Sequence, residues 1–398
     1  MHPEAAQLWA RIMCRHGQFL PILVDGKNVV NAGFEFLAGA IALGWTSVDV
    51  IQRNDLTDAE WSTVMLAFAK TPELSSWDEQ VVKTFLKEIT IADPDLLDLT
   101  GFETAEIDII SEAATVEEED EQDEASPLPP NDDNIVSRPG DIFGLGGHRL
   151  ICGNALSEEV LKIVMAGATA QAVCTDPPYD IKIKGHVSGL GKTKHDDFAM
   201  GVGEMSFDEF AKFLETFVKA LLSHLAPGVL LYIFMDRRHL EELFLAGRRL
   251  GLKIQDLAIW DKMSGGMGGL YRSQHEPCVV FKYGSEPHRD NVKLGKFGRY
   301  RTNVWKHRGL SSFGKHRTEA LNMHPTVKPS ALMADILKDC TKRGDVILDP
   351  FLGSGTTLIA AERTGRLCYG IELEPKYIDV AIKRWQTLTD KEAVHHRD

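Results

Sequence analysis

Asp176-Pro177-Pro178-Tyr179 closes a short apolar run at 172–175, and its residue types suit one kind of chemistry. A strand cannot continue through Pro177 and Pro178, because proline has no N–H for a ladder bond. The run therefore stops on a rigid corner bearing a carboxylate, a fixed carbonyl and an aromatic face. An exocyclic amine on a heteroaromatic ring is a poor nucleophile, since its lone pair is delocalised into the ring. The Asp176 carboxylate and the Pro177 carbonyl could each accept one of its N–H bonds, drawing the nitrogen toward a tetrahedral shape and freeing that pair. Tyr179 offers a face on which the ring could stack. A base in a duplex must first rotate out of the stack to reach such a pocket.

A second chemical stretch is DVILDPFLGSGTTLIAAERTGRLCYGIELEP at 345–375. Its pattern predicts a buried strand ending at Asp349, a tight turn, a helix ending at Gly365, and a second strand ending at Glu372. Gly353 and Gly355 would let a ligand approach the backbone at a helix N-terminus, with Phe351, Ser354, Thr356 and Thr357 around it. Glu372, 17 residues past Gly355, stands where a carboxylate can accept both hydroxyls of a ribose. NAD is disfavoured: a GxGxxG fingerprint starting at Gly353 requires glycine where Leu358 stands. S-adenosylmethionine fits better, having a ribose, no pyrophosphate, and a carboxylate suited to the helix N-terminus. A purely structural glycine turn is the plain alternative. Ligands of open α/β sheets lie beyond the carboxyl ends of the strands, so the two stretches meet only if their strands are neighbours.

The elements that must position them alternate. GDIFGLGGHRLICGNAL (140–156) predicts a hairpin; its GLGG is a weak phosphate-loop signal, because a strand follows it. Helices are expected over 157–167, capped by Ser157, and over 207–225, the latter ended by Pro227-Gly228. Strands are expected over 170–176, 229–235, 253–262 and 276–284, with a helix at 237–251. Strands alternating with helices imply an α/β sheet covered on both faces. Upstream, strands at 20–26 and 47–52 flank the start of another at 28–30 and a helix over 33–45. Helices follow after Thr57, a candidate N-cap, and over 77–89.

The 398 residues carry a net charge of −14, unevenly placed. Residues 1–134 hold 7 Lys/Arg against 27 Asp/Glu, whereas residues 262–328 hold 13 basic and 4 acidic residues. The overall sign therefore hides a basic segment suited to an anionic partner. SEAATVEEEDEQDEASPLPPNDDNIVS (111–137) reads as an acidic linker, with a nucleic-acid-mimicking arm as the sharper alternative. No apolar run reaches membrane-span length and no signal core is present. The six scattered cysteines form no CxxC pair, so reduced thiols and a cytoplasmic location are expected, with no metal site. His395 and His396, in a polar tail, are expected to have no role.

DPPY at 176–179 followed by FLGSGTT at 351–357, with the basic stretch between, resembles the β-class amino-group DNA methyltransferases. The likeness covers about residues 138–388; YRSQHEPCVVFKYG, GRYRTNVWK, HPTVKP and GIELEPKYIDVAIKRW also match family stretches. It implies a Rossmann-like sheet with permuted motif order, divided into a catalytic half (138–284), a target-recognition region (about 285–322) and a cofactor half (323–388). It further implies S-adenosyl-L-methionine as cofactor and double-stranded DNA as partner. Lys328, in HPTVKP, is placed near the methionine end of the cofactor. Asn154 stands where relatives carry an Asp near the adenine, and its amide oxygen can still accept that bond. Leu352 replaces a common glycine and is expected to narrow the cofactor cleft. Arg272, Lys293, Lys296, Arg299, Arg301, Lys306, Arg308, Lys315 and Arg317 become the expected DNA contacts, most of them to phosphates and carried on loops. SGGMGG (264–269) is a candidate closing loop.

The same resemblance implies adenine N6 over cytosine N4, since relatives with Ser in place of Asp at the first motif position are mostly cytosine-N4 enzymes. Residues 1–110 resemble a small α+β ParB-like accessory domain, but Gly33-Phe34-Glu35-Phe36 lacks that family's phosphate-handling arginine. The chain from 138 to 398 is the expected methyltransferase domain, and a homodimer is one arrangement open to it. Against the leading expectation stand a non-catalytic DNA-binding protein with a decayed methylase fold and a methylase of structured RNA.

Overall fold

The computed structural model describes residues 3–71, 77–112, 135–179, 205–265, 270–296, 300–308 and 328–396. The chain divides into two compact units, Met1–Ser111 and Glu112–Asp398.

In the first unit, β1 (Ile22–Asp25) lies between β2 (Val30–Ala32) and β3 (Val50–Arg53), antiparallel to the first and parallel to the second. A helix not read from the sequence, α1 (Pro3–His16), packs on α2 (Phe34–Ala42). Gly39 makes that approach close: a Cβ there would sit 3.0 Å from the Ala10 nitrogen. Trp9 stacks on Phe36 at 4.0 Å. Thr57 caps α3 (Asp58–Lys70) in a reciprocal capping box with Glu60, as the sequence led us to expect. Asp78 caps α4 (Glu79–Ala92), which shares a small core of Val82, Leu86, Leu97 and Ile107 with α5 (Thr104–Glu112).

The second unit is built on a ten-stranded mixed sheet in the order β10-β8-β9-β7-β6-β11-β12-β5-β4-β13. Its strands are β4 (Ile142–Leu145), β5 (His148–Cys152), β6 (Ala170–Thr175), β7 (Leu225–Phe234), β8 (Lys253–Asp261), β9 (His275–Lys282), β10 (Val304–Lys306), β11 (Val346–Asp349), β12 (Leu367–Glu372) and β13 (Val394–His396). The central five, β7-β6-β11-β12-β5, run parallel. Side chains alternate along them. Leu150, Tyr232 and Phe234 face a core shared with α9 (Ser330–Cys340), α10 (Thr356–Thr364) and α11 (Pro375–Thr389). Ile151, Leu231 and Ile233 face the other core, with α6 (Glu158–Met165), α7 (Phe207–Leu222) and α8 (Leu240–Arg249). Both faces of the sheet are thereby covered, as a parallel core requires.

Three expectations need correction. Pro227-Gly228 does not end a helix, because α7 stops at Leu222 and both residues lie within β7. The pairing with β6 jumps there, from Ala170↔Leu225 to Ala172↔Leu230. Pro227 and Gly228 sit in that irregularity, and Gly228 adopts φ 86°, where a Cβ would meet the Pro287 carbonyl at 2.5 Å. His395 and His396 are not idle tail: β13 pairs antiparallel with β4, His395 stacks on Phe143 at 4.8 Å, and its ring lies 3.1 Å from Asp141. The last residues of the acidic stretch are anchored, since Val136 N–H donates to Asp379 at 2.8 Å and the buried Ser137 donates to the same carboxylate. Residues 113–134 of that stretch lie outside the described residues.

Candidate active site

β6 and β11 are hydrogen-bonded neighbours, with Ile347↔Ala172 and Leu348↔Val173 in register. From β6 the chain proceeds to β7 on one side of this pair, and from β11 to β12 on the other. The helices that follow, α7 and α10, join opposite cores. The carboxyl ends of β6 and β11 therefore flank a topological switch point, where an open α/β sheet leaves a crevice. The 176–179 corner and the 350–355 turn both begin there. One hydrogen bond joins the two strand ends: Thr175 Oγ1 donates to Asp349 Oδ1 at 2.8 Å.

At the corner, Asp176 is held on several sides. The Lys328 ammonium contacts its Oδ2, and the Tyr179 hydroxyl contacts its Oδ1. Lys328 also lies 2.8 Å from Glu276 Oε1, 3.4 Å from the Tyr179 oxygen, and 4.5 Å above the Phe234 ring. Tyr179 OH is 2.7 Å from Glu276 Oε1, and Lys262 Nζ is 2.6 Å from Glu276 Oε2. Burial pushes the Asp176 carboxyl up, with Glu276 adding to the rise and Lys328 opposing it. Burial would also raise Glu276, but Lys328 and Lys262 outweigh it and hold that carboxyl below its usual range. Lys328 stays charged: burial disfavours its ammonium, and Asp176 and Glu276 more than compensate. Burial keeps the Tyr179 phenol protonated.

The glycine turn forms the other wall. Gly353 has φ 55° and Gly355 φ 84°, and Gly355 is the N-cap of α10. A Cβ on Gly355 would sit 2.8 Å from the Ala381 Cβ on α11, so helix packing also demands glycine. The buried Asp349 accepts from Thr175 and from the Phe351 N–H at 3.1 Å, yet burial still pushes its carboxyl up to about 6. Glu372 Oε2 accepts from Gly353 N–H at 2.9 Å and Oε1 from Glu374 N–H at 2.8 Å, while burial pushes this carboxyl up to about 7. Ser354, Thr356 and Thr357 are buried, and the Ser354 carbonyl accepts from Arg384 at 2.7 Å. Phe351 packs edge-on against Phe217 at 5.2 Å. Asn154 is exposed just beyond β5, which pairs with β12 as Glu372↔Cys152, and its side chain accepts from Leu156 N–H at 2.9 Å.

The structure thus brings the 176–179 corner, the 349–357 turn and Glu372 to one end of neighbouring strands. It also gives three residues neighbours that the sequence does not show. Lys328 was expected beside the cofactor, but its ammonium is engaged by Asp176, Glu276 and Tyr179. Arg301 was expected on phosphate, but its guanidinium lies 2.8 Å from both Asp335 and Asp339 of α9. Two carboxylates on a neighbouring helix outcompete solvent for it. Leu352, expected to narrow the cofactor cleft, is buried in the core against Gly370, where a Cβ would lie 2.8 Å from the Leu352 side chain.

Of the other basic residues, Lys296, Lys306 and Arg308 are exposed and Lys293 is partly so. The exposed Arg272 donates to the Gly265 carbonyl. Lys306 sits on β10, a short strand paired with β8 where only loops were expected. Arg299, Lys315, Arg317, residues 324–327 of HPTVKP and 266–269 of the glycine loop lie outside the described residues. Glu276 and Lys262 were missed by the sequence reading. The available signal was an acid at the start of an otherwise apolar strand, HEPCVVF. Among the described residues no cluster could hold a metal ion, and no helix is long and apolar enough to cross a membrane.

A family model described as DNA methylase, of the N6/N4 type, matches residues 170–383. The type II methyltransferase M.HpaI of Haemophilus parainfluenzae is 26% identical over 252 residues, spanning 59% of this chain and 73% of its own. M2.DpnII of Streptococcus pneumoniae is 28% identical over 227 residues, spanning 53% of this chain and 81% of its own. Among solved structures, the M1.HpyAVI–SAM complex aligns with a TM-score of 0.43 at 22% identity, covering 59% of this chain and 97% of that one.

Proposed function

The chain belongs to the N6/N4 DNA methylase family, and from that premise we propose that it methylates the N6 amine of adenine in double-stranded DNA, using S-adenosylmethionine. The observation that carries this reading is the adjacency of β6 and β11, which sets the Asp-Pro-Pro-Tyr corner beside the glycine turn. The turn suits the cofactor: two glycines with positive φ open the backbone, and a half-buried Glu372 carboxyl waits at the end of the next strand. Gly353, Ser354, Gly355, Thr356, Thr357, Phe351, Asp349, Glu372 and Asn154 would hold it. S-adenosylmethionine, when bound there, supplies an electrophilic methyl group.

Asp176 and the Pro177 carbonyl accept the two N–H bonds of the flipped base and localise its lone pair on nitrogen. Tyr179 stacks on the base. With the cofactor bound, its methyl group would pass to this nitrogen while its sulfur kept the C–S bonding pair, and the methylated nitrogen would then shed a proton to solvent. Lys293, Lys296, Lys306, Arg308 and Arg272, with Arg299, Lys315 and Arg317, position the duplex through its phosphates. In the same reading Met1–Ser111 is a ParB-like accessory unit and the protein acts in the bacterial or phage-infected cytoplasm.

The test combines purified protein, unmethylated duplex DNA and methyl-labelled cofactor, followed by digestion and nucleoside separation. Label in N6-methyladenine, lost in Asp176→Ala, is the expected result. Label in N4-methylcytosine would overturn the base assignment, and label only in RNA would overturn the substrate.

A further inference from the structure

We propose that Glu276 is a positioning residue for methyl transfer, holding Lys328 and Tyr179 in the places from which they set the Asp176 carboxylate. This assignment rests on the reading of Asp176 given above. β9 runs antiparallel to β7, so its first residues lie at the carboxyl end of β6 and β7, beside the corner. Glu276 is the second residue of β9 and is buried at 8% exposure, unusual for a carboxylate without partners. Its partners are specific. Oε1 faces both Lys328 Nζ at 2.8 Å and Tyr179 OH at 2.7 Å, while Oε2 faces Lys262 Nζ at 2.6 Å.

The donor count explains why this geometry matters. An ammonium has three protons, and Lys328 has three acceptors: Asp176, Glu276 and the Tyr179 oxygen. Glu276 is the second seat that keeps Lys328 from closing wholly onto Asp176. With Lys328 shared, Asp176 retains lone pairs for the incoming amine. The phenol carries a single proton, and the carboxylates of Asp176 and Glu276 both lie within its reach. Glu276 thereby pins the far end of the Tyr179 ring and so the orientation of its stacking face. Lys262, just past the end of β8, prevents Glu276 from turning away. None of these contacts reaches the turn that would hold the cofactor, so the role is confined to the amine side of the crevice.

The experiment compares wild type, Glu276→Gln and Glu276→Asp in steady-state transfer to duplex DNA, with cofactor affinity measured separately by titration calorimetry. In Glu276→Gln, kcat should fall on the order of 10²-fold, the loss that an angstrom-scale misplacement of a reacting group brings. The KM for DNA and the cofactor affinity should stay within about twofold, because the phosphate contacts and the turn are untouched. Glu276→Asp keeps the charge and should recover part of kcat. The charged groups facing Asp176 are Lys328, Glu276 and Asp349, with the Tyr179 phenol beside them, while Lys262 faces Glu276. Removing the Glu276 charge leaves Lys328 to Asp176 alone, which favours its ionised form. The acid limb of the kcat profile should therefore move to lower pH even as the rate falls.

A Glu276→Gln enzyme with wild-type kcat would overturn the assignment. So would loss of kcat and cofactor affinity together with an unmoved acid limb, which would mark Glu276 as a fold residue only. If the wild type itself transfers no methyl group to DNA, the functional reading fails and takes this role with it.

Discussion

If Glu372 holds the cofactor's ribose, as proposed, cofactor binding should depend on pH. Its carboxyl sits at the end of β12, accepts N–H bonds from Gly353 and Glu374 at 2.9 and 2.8 Å, and is still pushed up to about 7 by burial. Accepting both hydroxyls of a ribose requires the carboxylate. Binding therefore expels a proton from any molecule in which Glu372 is neutral. The sign follows: affinity rises as pH climbs through the free carboxyl's value and levels off above it. With that value at about 7, roughly one molecule in ten is ionised at pH ~6, so binding there should be about tenfold weaker than at pH ~8. Calorimetry in two buffers of different ionisation enthalpy should read about half a proton released at pH ~7. Glu372→Gln should bind more weakly at every pH, by roughly tenfold to a hundredfold, as expected for lost hydrogen bonds to a charged acceptor. Its affinity should vary much less with pH over that range, with only the Asp349 carboxyl left to titrate there. Equal wild-type affinity at both ends, or an unchanged slope in the variant, would refute the reasoning.

Lys328→Met should move the acid limb of methyl transfer to higher pH, opposite to Glu276→Gln, because Asp176 and Glu276 would face each other without their shared cation; pH–rate profiles check this. Arg301→Ala should lower stability by roughly 2–4 kcal/mol in urea unfolding, since it removes the guanidinium that bridges Asp335 and Asp339 and leaves Asp335 to Lys338 and His307. The same variant should leave the salt dependence of DNA binding unchanged, whereas a lost phosphate contact would reduce the slope by about one. Gly355→Ala should cost about 2–4 kcal/mol in the same assay and weaken cofactor binding, because φ 84° disfavours a side chain and the new Cβ would sit 2.8 Å from Ala381.

Many elements of the two units were legible because their signals are local. Ser157 and Thr57 cap the helices they precede, and the GLGG stretch turns a hairpin. The Asp-Pro-Pro-Tyr and glycine-turn stretches carry their chemistry in residue type and short spacing. The exceptions also have local causes. Pro227-Gly228 mimics a helix stop, but a sheet irregularity can hold the same pair. β13 was hidden because three residues at a polar end form a strand only when β4 offers an edge.

Long-range pairing decided the rest. Nothing within 176–179 or 351–357 states that their strands adjoin; the sheet order does, and it makes one crevice from segments some 175 residues apart. A charge's partner is equally invisible in one dimension. Arg301 looks like any other basic residue of its stretch until α9 presents two carboxylates. Nothing in HPTVKP tells that Lys328 meets Asp176, just past β6, and Glu276 of β9. Residue type sets what a side chain can donate or accept, and the sequence alone determined that much. Which partner it meets, how dry the meeting is, and so where its proton sits depend on distance and burial, which exist only once the sheet has closed.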